Sequence, residues 1–311
     1  MKKVGAIKIK PSMNADELIL EYKKAGVLNA GAVAEGVDIY ETMVKNDATV
    51  FLGLSGALVA GGMRKVIRDL INDGLVDVLV TTGANLVHDL IEASGGKHYI
   101  GSCRVDDVEL KNKEINRIYD IFLPERHYAK FGEYVRGIYK EIADQHKELS
   151  IREFLFEIGK RVKDEESIIR TAYKKNVPIF CPGISDSEIG LTFRDYANKV
   201  TVNVFKDVNE FIDVVRKSNK SGAIILGGGV PKNFILQAMV PEDMKKERGG
   251  HEYVVQITLD RPETGGLSGA TLEEAVSWGK IKENKKDRVT IIAEVSTVFP
   301  LMVVALKERL R

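Results

Sequence analysis

The chain is poor in the residues that announce metal, redox or disulfide chemistry: it has two cysteines, Cys103 and Cys181, one tryptophan, Trp278, and five histidines. Two cysteines cannot build a disulfide framework, and neither has a partner at metal-ligand spacing. His88, His98, His127, His146 and His251 form no HExxH or comparable cluster, so no catalytic metal is expected. Charge of one sign is also missing. Lys plus Arg number 46 against 45 Asp plus Glu, a formal charge of +1, which carries neither a nucleic-acid footprint nor an acidic tail. No stretch approaches the roughly 18 to 20 apolar residues of a membrane span. The opening MKKVGAIKIKPSMNADE has no continuous apolar segment, so no secretion signal is expected and a cytoplasmic location is. No Pro/Ser-rich linker interrupts the 311 residues. One α/β domain over 1–311 is therefore expected, with 1–47 as an attached helical segment.

What is present is a repeated grammar. Residues 14–45 place apolar side chains at helical spacing, broken at Gly26, and predict two helices ahead of the first strand. Thr49–Leu54 (TVFLGL) then reads as strand, followed by the glycine turn SGALVAGG and the helix pattern MRKVIRDLINDG. The same order recurs at 76–82 with GAN and LVHDLIEASGG, at 177–181 with PGISDSEIG, and at 222–226 with GGGVPKNFILQAMV. A last strand is expected over 289–296, leading into TVFPLMVVALKERLR. Five strands alternating with helices predict a doubly wound, mostly parallel, Rossmann-like sheet covered on both faces. Residues 104–170, with apolar spacing from Phe131 to Ile142 and from Ile151 to Ile158, are expected to be covering helices.

In such sheets ligands bind outside the carboxyl ends of the strands, so each glycine turn is a candidate wall of one crevice. Glycine lets backbone N–H groups approach a phosphate at a helix N-terminus. The first turn is not G-x-G-x-x-G, so the expectation of a dinucleotide site rests on several glycine turns together. Asp186, just past the third strand, and Glu294, in the fifth segment, are candidate acceptors for ribose hydroxyls or else turn and capping carboxylates. Cys181 is expected to be a buried inert thiol, and His88 a packing or surface histidine.

The stretch Leu259–Ile281, LDRPETGGLSGATLEEAVSWGKI, concentrates the remaining chemistry. Glu274 and Trp278 share a helix face, and Lys280 joins them only if the helix ends near Gly279. A lysine beside an aromatic face and away from bulk water loses part of its preference for the charged form, as an imine-forming amine requires. An indole face with a carboxylate beside it suits a cationic ligand. The competing reading is a core tryptophan with a solvated lysine.

EAVSWGKI at 274–281 resembles the active-site signature of the deoxyhypusine synthase family. Further blocks agree: TVFLG at 49–53, LVDVLVTT at 75–82, INRI from 115, VPIFCP…SD at 177–186, ILGGGVPK at 225–232, SGA at 268–270 and VFPL at 298–301. The resemblance implies that family's fold and an NAD-dependent aminobutyl transfer. The four-carbon group of spermidine would pass through an imine on Lys280 to one lysine of the translation factor 5A precursor. By position, Lys280 is the nucleophile, and Glu274, Trp278, Asn233, Gly265, Gly266 and Leu267 bind substrate. Ser55, Gly56, Ala57, Ala60, Thr82, Gly83, Ala84, His88, Asp186, Gly228, Glu294 and Val295 contact NAD. A homotetramer with sites at subunit interfaces is implied as well.

The sequence departs from the eukaryotic pattern at several of these positions. The histidine after GGGVPK is Asn233, acidic positions are Leu191 and Leu267, polar positions of the first turn are Ala57 and Ala60, and the acidic partner of the second turn is His88. Loss of carboxylates weakens recognition of an amine with several ammonium groups, each of which wants a partner once desolvated. A homospermidine-synthase-like transfer, or one acting on another polyamine or agmatine with a small-amine acceptor, is the alternative. The chain also starts without the N-terminal extension of eukaryotic members, which suits a prokaryotic or archaeal homologue.

Overall fold

A computed structural model describes all residues, 1–311. Six short runs rich in Val, Ile and Leu form the central sheet: β1 Thr49–Leu54, β2 Val78–Thr81, β3 Ile179–Phe180, β4 Ser221–Leu226, β5 Tyr253–Thr258 and β6 Arg288–Ile292. Their order is β6-β5-β4-β1-β2-β3. The chain divides into two compact units, one of Met1–Leu54, Leu75–Val80 and Glu210–Arg311, the other of Ser55–Gly74 and Thr81–Asn209.

In the first unit β1, β4, β5 and β6 run parallel, with Thr49 opposite Ser221, Gly222 opposite Tyr253 and Val254 opposite Arg288. Both faces are covered, so the strands read as continuous apolar runs. Val254, Val255 and Ile257 of β5 have no exposed surface, each stabilising by about 1.5–3 kcal/mol through burial. The two expected N-terminal helices are Ala15–Ala25 and Leu28–Lys45. The first opens on a capping box between Asn14 and Glu17 and closes on Gly26, whose φ of 64° is the left-handed turn that glycine allows. Gly36 lets the second helix lie close to β6 and the C-terminal helix Val295–Arg309. A Cβ there would stand 2.9 Å from Ile291 Cδ1 and from Met302 Cε.

The second unit carries the helices Arg64–Asn72, Gly83–Ala93, Glu125–Gln145, Ile151–Arg161 and Ile168–Lys175. Its polar anchor is Asp89, which has no exposed surface. The carboxylate accepts from Arg64 Nε at 2.7 Å, Ser167 Oγ at 2.6 Å, Ile168 N at 3.0 Å and Ile169 N at 3.1 Å. It thereby satisfies the first amides of the helix Ile168–Lys175 and neutralises a buried guanidinium.

Four expectations need correction. The central sheet has six strands, because YVVQIT at 253–258 belongs to it too. Residues 104–170 are not all helical. Ile115–Ile118 and Ile121–Pro124 form an antiparallel hairpin joined by Tyr99–Ile100, turning through Tyr119, whose φ is 51°. The second and third strands are shorter than expected, at Val78–Thr81 and Ile179–Phe180. The last strand stops at Ile292, so Glu294 lies outside it and caps the following helix.

Asp89→Ala should lower the free energy of unfolding by about 3–5 kcal/mol, since it strips a buried cation and a helix start of one shared partner. Urea denaturation of the variant against wild type measures this.

Candidate active site

Within the first unit three loops follow the carboxyl ends of parallel strands. β4 leads into Gly227–Gly229 and the helix Gly229–Gln237, β5 into the loop 259–270 and the helix Leu272–Ser277, and β6 into Glu294 and the C-terminal helix. The first two loops are held against each other. Gly229 N donates to Ser268 Oγ at 3.0 Å, and a Cβ on Gly228 would stand 2.4 Å from Ser268 Cα, so only glycine fits there.

The helix Leu272–Ser277 starts on a capping box. Thr271 Oγ1 accepts from Glu274 N at 3.1 Å while Glu274 Oε2 accepts from Thr271 N. One oxygen of Glu274 is thus spent on the helix start, and Oε1 remains for a ligand. The helix ends at Trp278, and Gly279 takes φ 71°, so the chain turns where the nucleophile reading requires it. Lys280 N then bonds to Ala275 O, and its carbonyl accepts from His251 N, each at 3.0 Å. The result brings Lys280 Nζ over the Trp278 ring at 5.5 Å from the centroid. Trp278 is 62% exposed, which removes the core-tryptophan reading. Burial first, and the Lys245 ammonium second, hold the Lys280 amine below the usual lysine range.

Two residues of this cluster were not identified from the sequence. Lys232, the last residue of GGGVPK, is buried, and its Nζ donates to Gln256 Oε1 at 3.0 Å and to the Ala270 carbonyl. Burial, opposed by Glu274 and reinforced by Lys280, brings its pKa down to about 8. Gln256 of β5 has no exposed surface and donates from Nε2 to Gly227 O at 2.9 Å and Ser268 O at 2.8 Å. A glutamine inside an otherwise apolar strand was the signal in the sequence.

The other expected substrate positions lie on the loop after β5 and on the helix after β4. Gly265, Gly266 and Leu267 are exposed, with Leu267 at 47%, and Asn233 follows Lys232 on its helix. Glu294 caps the C-terminal helix, with Val295 as the first residue of that helix. Glu294 Oε1 accepts from Ser296 N, while Oε2 accepts from Ser296 Oγ, Thr297 N and Thr297 Oγ1.

The second unit holds the remaining expected cofactor positions. Gly56 has φ 68° with open space where a Cβ would point. Ala57 and Ala60 follow it into a wide turn over Val59–Met63, in which Met63 N bonds back to Leu58 O. Thr82 Oγ1 donates to Gly56 O at 3.2 Å and accepts from Asn85 Nδ2 at 3.1 Å, which joins the turn after Leu54 to the start of the helix Gly83–Ala93. Ser55, Thr82, Gly83 and Ala84 therefore come together. Asp186 lies exposed in a turn, and Leu191 is exposed beyond it. His88 is buried rather than at the surface. Its Nδ1 lies 2.9 Å from His98 Nε2, and His98 Nδ1 lies 3.0 Å from Glu92 Oε1. Desolvation and the neighbouring His98 press its pKa down to about 4, so it is neutral at physiological pH.

The sequence model of the deoxyhypusine synthase family matches residues 17–306. The chain belongs to that family. "Probable deoxyhypusine synthase 1" of Methanosarcina mazei is 46% identical over 99% of this chain and 95% of its own length. "Probable deoxyhypusine synthase 1" of Archaeoglobus fulgidus is 41% identical over 99% and 98%. The solved structure titled "Crystal Structure of a putative deoxyhypusine synthase from Entamoeba histolytica" shares the fold, with a TM-score of 0.65 at 20% identity over 94% of this chain and 93% of that one. Deoxyhypusine synthase membership places the chain among enzymes, as a transferase of hypusine biosynthesis.

Cys181 is 1% exposed, and burial pushes its thiol up to about 12, whereas Cys103 is exposed. Native protein treated with iodoacetamide at mildly alkaline pH should be alkylated at Cys103 alone, and Cys181 should react only after denaturation. Peptide mass spectrometry reads both.

Proposed function

We propose that this chain transfers a four-carbon aminobutyl group from a polyamine through an imine on Lys280 to a lysine of the translation factor 5A precursor, with NAD as its redox cofactor. The observation that carries the reading is the Lys280 amine over the exposed Trp278 face, held below the usual lysine range by burial and Lys245. An amine must be uncharged to attack, and desolvation lowers the cost of that state. The Trp278 face attracts the cationic end of a donor, and Glu274 Oε1 offers it a counter-charge.

The residues present fit the cofactor. Glu294 Oε1 carries one hydrogen bond against three on Oε2, so it retains room to accept from a ribose hydroxyl. The helix Gly83–Ala93 starts at Thr82 without a side-chain cap, and its positive N-terminal end favours an anion such as a phosphate. Gly228 brings the backbone of its turn close enough for contact along a ligand's length, and Val295 borders Glu294. Ser55, Gly56, Ala57, Ala60, Gly83, Ala84 and Asp186 would line the cofactor in the second unit, with neutral His88 as a hydrogen-bonding partner. When bound, NAD would supply the hydride acceptor for amine oxidation and return the hydride at the end.

The donor is where a second reading has support. Leu267 presents an apolar side chain on the β5 loop, and Asn233 is neutral, so Glu274 is the acidic member of the expected substrate set. A donor with fewer ammonium groups than spermidine, or a small-amine acceptor as in homospermidine synthesis, suits that set. Cytoplasmic location and a homotetramer accompany the main reading. No helix is long and apolar enough to cross a membrane, and the exposed indole of Trp278 is a surface that a second subunit could cover.

Incubation with NAD, labelled spermidine and the factor 5A precursor, followed by borohydride, should leave label on Lys280 and on the acceptor protein. Labelled small polyamine with unlabelled acceptor protein would support the second reading. Lys280→Arg should abolish the trapped adduct while NAD binding, followed by calorimetry, stays within about twofold of wild type. Undiminished turnover by that variant would remove Lys280 as nucleophile.

A further inference from the structure

Lys232 sits one turn into the helix Gly229–Gln237, yet is only 3% exposed. Its two hydrogen bonds go to Gln256 Oε1 and the Ala270 carbonyl. An ammonium has three N–H donors, whereas a neutral amine has two donors and one lone pair. The two acceptors match the neutral amine, and the third position of the nitrogen has no protein acceptor. The charged groups acting on it are Glu274, from the helix Leu272–Ser277, and Lys280 beyond that helix. Lys245, from the helix Glu242–Glu247, acts on Lys280.

We propose that Lys232 is the proton acceptor of the Lys280 site, taking protons from the Lys280 nitrogen and passing them to the departing amine, directly or across one water. The proposal rests on the imine reading of Lys280. The Lys280 ammonium gives one proton to Lys232, and the freed lone pair forms the N–C bond to the iminium carbon of the oxidised donor. The C=N π pair moves onto the donor nitrogen. A second proton leaves the Lys280 nitrogen, and the bond from carbon to the donor nitrogen breaks with its pair on that nitrogen. The amine departs as an ammonium, and Lys280 is left as the iminium. Two protons leave one nitrogen and two arrive on the other, carried one at a time. Lys232 starts and ends neutral, and nothing is oxidised or reduced in the exchange. Its pKa of about 8 makes it available as a base from about that pH upward, well below an ordinary lysine, as a general base must be.

The test needs neither NAD nor a polyamine. Wild-type protein is treated with butanal and cyanoborohydride over a pH series, and alkylation at Lys280 is quantified by peptide mass spectrometry. The wild-type rate should rise through a pH of about 8. Lys232→Met and Lys232→Arg should both cut the neutral-pH rate at least roughly tenfold and move the rise upward, since neither side chain accepts a proton there. A Lys232→Arg variant with the wild-type rate and profile would reduce the position to a fixed charge and overturn the proposal. So would an unchanged Lys232→Met. Should the variants misfold by circular dichroism, 15N-lysine NMR of the wild type decides, because an ammonium signal for Lys232 that persists into the ordinary lysine range is fatal. A chain that forms this adduct but accepts no polyamine sinks the proposed function and leaves the Lys232 proposal standing.

Discussion

The amide of Gln256 lies in the middle of a fully buried parallel strand, and three partners depend on it. Its oxygen accepts from Lys232, and its nitrogen donates to the carbonyls of Gly227 and Ser268. Only this orientation of the amide satisfies all three, because an amine needs an acceptor and two carbonyls need donors. A buried polar group left unpaired costs roughly 1–3 kcal/mol. An apolar replacement would leave Lys232 with the Ala270 carbonyl as its one acceptor and strip two carbonyls of a donor together. The glycine turn after β4 and the loop before the Lys280 helix are therefore fixed to one strand position, with Gly228 against Ser268 closing the remaining gap.

That arrangement explains which parts of the site could be read from the residues. The end of the helix Leu272–Ser277 was legible, because Gly279 is a glycine for a reason of backbone angle and the Lys280 and Trp278 positions follow from it. The two N-terminal helices were legible from their spacing and Gly26. Lys232 was not, since a lysine on a helix is ordinarily solvated, and its burial depends on a partner 24 residues further along the chain. YVVQIT was missed for the complementary reason. A glutamine within an apolar run reads as the end of a strand until an amine and two carbonyls are known to surround it. The hairpin over 115–124 turns through Tyr119, a residue that announces no left-handed conformation in the way glycine or asparagine would.

In the second unit, adjacent residues of one helix divide the labour. Asp89 faces Arg64 and the amides of a neighbouring helix, and its four bonds make it structural. His88, one position earlier, is bonded to His98 and through it to Glu92. A carboxylate behind His98 fixes its Nδ1 proton, so its Nε2 accepts and His88 must donate from Nδ1, leaving His88 Nε2 as an acceptor. A neutral histidine backed in this way replaces a carboxylate as an acceptor without adding negative charge.

The balance of charge around Lys280 bears on the proposed donor. Lys245 acts on Lys280, Lys280 acts on Lys232, and Glu274 opposes the effect on Lys232. Burial and a neighbouring ammonium both lower the cost of deprotonating Lys280 and Lys232, which favours the uncharged amine. The same ammonium groups repel a donor that carries several positive charges, unless carboxylates line its path. Leu267 stands on the loop before the helix, at a position that is acidic in the eukaryotic pattern this sequence resembles, and its 47% exposure shows that it is not there to fill a core. Under the proposed reaction, activation of Lys280 and capture of a highly charged polyamine pull in opposite directions. The lowered amine of Lys280 and the apolar Leu267 suit the first, and a less charged donor would lose least to the second.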